Sequence, residues 1–162
     1  MERIVYTKAG GLDSIAIDEF QETTPGNGEV RVRVSRAGIN FADLMMRQGL
    51  YGSAPDFPFT PGYEASGVIS AIGEGVEGLE VGQRVLAMTG FGGYSQSVQI
   101  SAERAIPIPD EMSDDAAASL GVTYGTAYHM LVHLGNLRAG DSVLIHHAAG
   151  GVGTAAAQIC LA

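Results

Sequence analysis

The chain has 162 residues, of which 46% are hydrophobic and 17% charged, as in an ordinary globular domain and unlike a disordered chain. Its formal net charge of -9 repels polyanions, which argues against nucleic acid and anionic membrane surfaces as partners. Cys160 is the only cysteine, so an intrachain disulfide is excluded and a reducing, cytoplasmic location is expected.

The first two thirds of the chain consist mainly of short segments with the pattern of β-strands. Residues 29–35 alternate valine with arginine, which is typical of a half-buried strand. One helix is predicted at residues 41–49, ended by Gly49. Asp43 and Arg47 lie four apart on it and are expected to form a salt pair. The other predicted strands are SIAIDEF, ASGVISAIG, GQRVLAM, YSQSVQI and RAIPIP, and their spacing favours an all-β barrel or sandwich.

From Ser113 onward the pattern changes from strands to helices. Ser113 is a candidate N-cap, because two aspartates follow it in the first helical turn. A second helix, TAYHMLVHLGN, is predicted to close at Gly135. The segment AGDSVLIHH is typical of a turn that leads into a buried strand, residues 142–147. The second part of the chain therefore has a β-α rhythm.

Two stretches without Asp, Glu, Lys or Arg, residues 116–137 and 142–162, are long enough to raise the question of a membrane span. Glycines interrupt both stretches, and the first also contains two histidines. The N-terminus has acidic and basic residues where a secretory signal needs an apolar run. We therefore expect a soluble protein without a transmembrane segment.

A glycine-rich loop follows the predicted strand. Residues 151–156 fit the pattern G-x-G-x-x-A, and residues 148–153 fit it in a second frame with Ala148 in place of the first glycine. Glycines allow backbone N–H groups to approach a pyrophosphate, and the helix that follows directs its positive N-terminal end at the phosphate. The alternative is a turn that needs small residues only for packing. The preceding strand and following helix favour the phosphate site.

Five motifs in this order resemble the medium-chain dehydrogenase/reductase superfamily, in particular its zinc-free quinone oxidoreductase branch of the ζ-crystallin type, which includes vesicle-protein members: AGINFADLMMRQGLY, FPFTPGYEASGVISAIGEGV, GQRVLAM, GVTYGTAYHML and AAGGVG. The resemblance implies a mainly β GroES-like catalytic domain, residues 1–121. Residues 122–162 would then begin an α/β Rossmann domain with its first strand, the glycine loop and part of its first helix. It further implies NADPH or NADH as cofactor and a homodimer at full length.

The same resemblance implies catalytic roles for Asn40 and Tyr51, whose amide and phenol would face the nicotinamide and stabilise charge on the substrate oxygen. Two alternatives remain open. Asn40 is also a good N-cap for the helix that follows it, and Tyr51 is also placed to pack beneath the loop APDFPF.

The implied cofactor contacts are Asn40, Met45, Thr126 and the loop residues Ala149, Gly150, Gly151, Val152 and Gly153. Thr126 matches a family threonine that touches the carboxamide, although a role at a helix start is equally consistent with the sequence. Met45 stands where many quinone reductases have a tyrosine, which weakens the transfer of nicotinamide geometry from those enzymes.

No metal is expected. Zinc-bearing relatives have a cysteine at the position of Asn40 and a histidine at that of Tyr63, and neither replacement is a usual zinc ligand. His129 and His133 are four apart on a predicted helix, but Met130 stands where a metalloprotease would have its glutamate. A solvent-facing or packed histidine pair is the better interpretation.

Two classes of function follow. The first is a reductase of quinones or α,β-unsaturated carbonyl compounds that takes hydride from a nicotinamide cofactor. The second is a non-catalytic or weakly catalytic, transport-associated binding protein on the same fold. Only nine residues follow Gly153, so we expect the sequence to be the N-terminal part of a longer enzyme. The chain by itself would then bind nicotinamide cofactor weakly or not at all, and the residue that distinguishes NAD from NADP would lie beyond it.

Overall fold

The computed structural model describes residues 1–162 and divides the chain into two units, Met1–Ser119 and Leu120–Ala162. The predicted domain boundary after residue 121 lies within two residues of this division. That the second unit begins a dinucleotide-binding domain stays a prediction.

The first unit contains seven strands in two antiparallel sheets. Strands β1 and β2 form a hairpin, and the other five form a sheet in the order β6-β3-β4-β5-β7. All the predicted strands of this unit form, so the mainly β, GroES-like architecture expected from the sequence is confirmed. The strands are β1 Glu2–Tyr6, β2 Ile15–Glu19, β3 Glu29–Ala37, β4 Glu64–Ile72, β5 Arg84–Met88, β6 Ser97–Ser101 and β7 Ala105–Pro107.

The apolar core of this unit lies against the five-stranded sheet. In β3, Val30 and Val32 are fully buried, as the alternation with arginine predicts. Strand β3 pairs with β4 and β6, so its valines meet apolar side chains from both neighbours, including the buried Ile69. Burying a side chain of this size stabilises the fold by about 1.5–3 kcal/mol. The energy of burying these valines therefore favours the one orientation of β3 that directs them into the core.

Two short α-helices, α1 (Phe41–Arg47) and α2 (Asp114–Ala117), and two 3₁₀ turns, Leu12–Ser14 and Ala102–Arg104, complete the first unit. Helix α1 ends before Gly49, whose φ of +73° lies in the left-handed region that favours glycine. At α2 the Ser113 hydroxyl accepts a hydrogen bond from the Ala116 N–H at 3.1 Å, so the predicted N-cap is confirmed.

The salt pair predicted between Asp43 and Arg47 is not formed. Asp43 is buried and accepts hydrogen bonds from the Asn40 N–H and the Tyr94 hydroxyl. Arg47 instead donates to the Gly10 carbonyl at 3.0 Å. The spacing was right for a pair, but each side chain has a better partner elsewhere in the unit.

The second unit consists of two helices and the segment between them. Helix α3 (Gly121–Tyr128) continues into a π-helical turn, His129–Leu134, in which the Gly135 N–H reaches back five residues to the Met130 carbonyl. Helix α4 spans Gly151–Leu161. The small residues Ala155 and Ala156 of α4 are buried beside Ala127 of α3, so they permit close packing between the two helices. Every helix of the chain falls short of the length and apolar character that a membrane crossing needs.

The buried strand predicted at residues 142–147 is wrong for this chain. These residues form no strand, and Leu144 is 84% exposed. A strand needs a neighbour to pair its backbone N–H and C=O groups, and the second unit contains no other strand. Without a neighbouring strand, most of this segment is therefore exposed, and Ile145 is partly buried against the helices instead.

Candidate active site

Asn40 is held at the start of α1 by its own backbone and side chain. It occupies the N-cap position and shares a capping box with Asp43, whose carboxylate accepts the Asn40 backbone N–H at 2.7 Å. The Asn40 side-chain Nδ2 donates to Glu64 Oε1 at 3.0 Å. The capping position is therefore confirmed, and the side-chain amide additionally bridges to the first residue of β4.

Two buried carboxylates flank Asn40. Asp43 and Glu64 are each only 1% exposed. Asp43 Oδ2 also accepts the Tyr94 hydroxyl at 3.0 Å, while Asp43 Oδ1 is buried without a hydrogen-bond partner in the protein. Burial first, and the negative charge of Asp43 second, raise the pKa of the Tyr94 phenol, so this phenol remains a hydrogen-bond donor across the physiological pH range.

A second pair of phenols lies in the same unit. The Tyr63 phenol lies near the Tyr51 and Ser53 side chains, and its ring centroid is 5.3 Å from that of Phe91. Burial first, and the neighbouring Tyr51 phenol second, raise the pKa of Tyr63 to about 12. Tyr51 is 37% exposed, so its side chain lies at the surface of this cluster, and its catalytic role stays a prediction.

These donors fit zinc poorly. The amide nitrogen of Asn40 is committed to Glu64, and an amide nitrogen is not a usual zinc ligand. Tyr63 would have to ionise to bind a metal well, and its pKa of about 12 opposes this at neutral pH. His129 and His133 belong to the other unit, where both are exposed and their ring centroids are 5.5 Å apart.

The remaining residues that the resemblance implied are placed as follows. Met45 is half-buried on α1. Thr126 is exposed within the second turn of α3, so the alternative that it serves a helix start is wrong. Its proposed contact with the cofactor stays a prediction.

The glycine loop in the second unit brings the backbone of Gly153 close to that of His147 and Ala148. Ala149 and Gly150 lead into α4, and Gly150 caps the helix without any side-chain hydrogen bond. A Cβ atom at Gly153 would lie 2.4 Å from the His147 carbonyl oxygen, which no real side chain tolerates. The loop therefore turns tightly against the first turn of α4, with Gly151, Val152 and Gly153 at the N-terminal end of the helix. Such an end offers N–H groups and a positive dipole to an anion.

The sequence did not predict Tyr63 and Tyr94 as donors, and it predicted Arg47 as the partner of Asp43 where the structure has Asn40 and Tyr94. The spacing N-x-x-D from Asn40 to Asp43 is that of a capping box and would have predicted their bond. No comparable signal marks the two tyrosines, except that each directly follows a glycine.

Comparison with known proteins agrees with this architecture. Residues 26–110 match the family described as the alcohol dehydrogenase GroES-like domain. The chain belongs to this family. It is 45% identical to the synaptic vesicle membrane protein VAT-1 homolog of Rattus norvegicus over 159 residues, which are 97% of this chain and 39% of that protein.

Among solved structures, it resembles the quinone oxidoreductase of Escherichia coli complexed with NADPH, with a TM-score of 0.92 and 34% identity over 99% of this chain and 49% of the other. It also resembles the CurK enoyl reductase, with a TM-score of 0.91 and 35% identity over 99% of this chain and 51% of the other. The predicted resemblance to zinc-free quinone oxidoreductases of the medium-chain superfamily is thus confirmed. The chain spans about two fifths to one half of the length of these proteins.

Proposed function

We propose that this protein is a zinc-independent, NAD(P)H-dependent oxidoreductase that reduces quinones or α,β-unsaturated carbonyl compounds by hydride transfer. Residues 1–121 would supply the catalytic side chains, and residues 122–162 would begin the dinucleotide-binding domain. The similarity to a quinone oxidoreductase that binds NADPH and to an enoyl reductase supports this class of reaction.

The observation that carries the proposal is the tight glycine loop at the start of α4. Gly150 and Gly153 let the loop fold tightly onto the first turn of α4, since a Cβ at Gly153 would lie 2.4 Å from the His147 carbonyl oxygen. The N-cap itself is Gly150, so no side chain covers the N-terminal N–H groups at that position. Ala149 to Gly153 would therefore hold the pyrophosphate, and Met45 and Thr126 would contact the cofactor elsewhere.

Asn40 and Tyr51 would act on the substrate. When bound, the nicotinamide cofactor supplies a hydride, and the oxygen of a quinone or enone then gains negative charge. An amide N–H from Asn40 and the phenol of Tyr51 can donate hydrogen bonds to that oxygen. Tyr63 remains protonated at neutral pH because its pKa is about 12, so the phenol next to Tyr51 brings no negative charge to the site.

Kinetic measurements on the protein expressed from its complete coding sequence test the proposal. We expect oxidation of NADPH or NADH with members of a panel of quinones and enones. Asn40→Ala should lower kcat about 100-fold, in line with the loss of one preorganised donor to a developing oxyanion. Tyr51→Phe should lower kcat at least about tenfold, whereas Tyr128→Phe, which alters an exposed phenol in the second unit, should leave it unchanged.

Cofactor binding by calorimetry separates the two classes of function. Binding without turnover of any acceptor would favour a binding protein on this fold. The absence of both binding and turnover would contradict the proposal.

A further inference from the structure

The side-chain amide of Asn40 is held by the carboxylate of Glu64, which has no part in the proposed reaction so far. Glu64 Oε1 accepts the Asn40 Nδ2–H at 3.0 Å. Glu64 is the first residue of β4, paired in register with Met88 of β5, and is 1% exposed. The carboxylate therefore belongs to the rigid sheet rather than to a loop.

The backbone around Glu64 leaves its side chain little room to move. A Cβ atom at Gly38 would lie 2.6 Å from Glu64 Oε1 and 2.3 Å from the Ala118 carbonyl oxygen. The Gly38 N–H also donates to the Glu64 carbonyl at 3.2 Å. The absence of a side chain at Gly38, directly after β3, lets the Glu64 carboxylate lie against the Gly38 backbone and reach Asn40.

A carboxylate at this position selects one orientation of the Asn40 amide. The two ends of an asparagine side chain have nearly the same shape, but one end donates and the other accepts. A carboxylate only accepts hydrogen bonds, so it retains the orientation that places Nδ2 toward Glu64. The backbone of the same residue is fixed through Asp43 at 2.7 Å. One Nδ2 hydrogen is then committed to Glu64, and the second is held in a defined direction.

We propose that Glu64 is a positioning residue that fixes the Asn40 amide so that its second N–H is preorganised as a donor to the substrate oxygen. This role rests on the proposed reductase function. Glu64 touches neither substrate nor cofactor in this role and acts only through Asn40. The expected consequence of its loss is a lower kcat with little change in KM, because preorganised donors act mainly in the transition state.

The first experiment reads the orientation of the amide without any enzymatic assay. Nitrogen-15 NMR of the 162-residue chain should show one Asn40 Nδ2 proton that exchanges with water about tenfold more slowly than the other, as expected for one hydrogen bond of ordinary net strength. Asn40→Ala assigns the signal by removing it. Fast exchange of both protons in the wild-type chain would overturn the proposal, and this measurement needs no variant that might unfold.

The matched variants are Glu64→Gln and Glu77→Gln. A glutamine at position 64 can present either an amide or a carbonyl, so the Asn40 orientation is no longer unique and the difference in exchange between its two protons should decrease. Glu77→Gln makes the same chemical change at an exposed position and should preserve the difference in full. An undiminished difference in Glu64→Gln would contradict the role of Glu64. Thermal unfolding checks both variants, and Glu64→Asp, which keeps a carboxylate but withdraws it, provides a second test with the same expected direction.

The second experiment is a double-mutant cycle in the protein expressed from its complete coding sequence. Glu64→Gln should lower kcat about tenfold with KM changed less than about twofold, and it should have no further effect in an Asn40→Ala background. Equal kcat in Glu64→Gln and wild type would overturn the positioning role while the reductase function stands. Lack of turnover by the wild type itself would overturn the proposed function, and the positioning role with it.

Discussion

The two units of this chain use apolar residues in opposite ways. In Met1–Ser119, apolar residues from the neighbouring strands β3, β4 and β5 pack into one core cluster of the five-stranded sheet. Val30, Ile69 and Val85 in this cluster are fully buried. In Leu120–Ala162, the apolar residues 143–145 form no strand: Leu144 is 84% exposed, and Ile145 is only partly buried. The buried residues of this unit are small alanines between two helices. The difference shows that an apolar pattern becomes a strand only where another strand accepts its hydrogen bonds.

The largest expected effect tests that contrast directly. Ile69→Ala should lower the free energy of unfolding by about 2–5 kcal/mol, because it leaves a cavity in the sheet core. Leu144→Ala removes a side chain of similar size that is 84% exposed, and should change stability by less than about 0.5 kcal/mol. Urea denaturation followed by circular dichroism measures both. Similar destabilisation by the two variants would mean that Leu144 is buried in solution.

The second prediction tests whether the glycine loop of the second unit packs as closely as the contacts of Gly153 indicate. Gly153→Ala should destabilise this unit by about 1–3 kcal/mol, because the new Cβ would meet backbone that cannot move aside. Gly125→Ala is the matched control within α3, where a Cβ meets nothing within 4 Å, and it should stabilise the helix by about 0.5–1 kcal/mol. Thermal unfolding monitored by helical circular dichroism distinguishes them. If both substitutions stabilise the chain, the glycine loop is more open than described.

A smaller effect is expected where the first unit ends in α2. Ser113→Ala removes a helix cap and should cost about 1 kcal/mol of stability. Ser142→Ala makes the same change in the exposed segment of the second unit and should have an effect within about 0.5 kcal/mol of zero. Chemical denaturation of both variants in parallel supplies the measurement. Equal losses would show that the Ser113 cap contributes nothing beyond the substitution itself.

The smallest expected effect concerns the ionisation of the tyrosine phenols in the interior of the first unit. Burial, with a smaller contribution from the Asp43 charge, raises the pKa of both Tyr6 and Tyr94. Burial and the neighbouring Tyr51 phenol raise the pKa of Tyr63 to about 12. Ultraviolet absorbance of tyrosinate should therefore show phenols that ionise well above pH 10. The chain in denaturant is the control, since its tyrosines should ionise near pH 10.

The pH dependence of stability follows from the same shifts. A folded-state pKa above the unfolded value stabilises the fold below pH 10, and this contribution declines as the pH rises from about 10 to 12. Tyr63→Phe should remove part of that decline. An unchanged pH profile in this variant would contradict the placement of the Tyr63 phenol.

Much of the fold could be predicted because its signals are local. The valine–arginine alternation of β3, Ser113 before two aspartates and Gly49 after α1 each specify a local conformation on their own. The failure at residues 142–147 has a physical cause, because pairing with a neighbouring strand is not a property of the segment itself. The same apolar run would be a buried strand beside a partner and is an exposed segment without one.

The candidate site was less predictable, because its contacts join residues far apart in sequence. The capping box of Asn40 and Asp43 is local and was available from spacing alone. The Asn40 contact with Glu64 spans 24 residues, and that of Asp43 with Tyr94 spans 51. Both depend on how the start of α1 meets the sheet, which no short motif encodes. The helical i, i+4 rule consequently assigned Asp43 to the wrong partner.

Copies of this chain approach one another in solution as anions, because each has a formal net charge of -9. Added salt shortens the range of that repulsion to about 10 Å at 0.1 M, which lowers the electrostatic barrier between copies. Residues 143–145 are apolar and uncharged, and their backbone is paired by no strand of the unit, as in segments that associate edge to edge. Self-association through this segment should therefore increase with ionic strength, and a lysine in place of Leu144 should act as a gatekeeper against it.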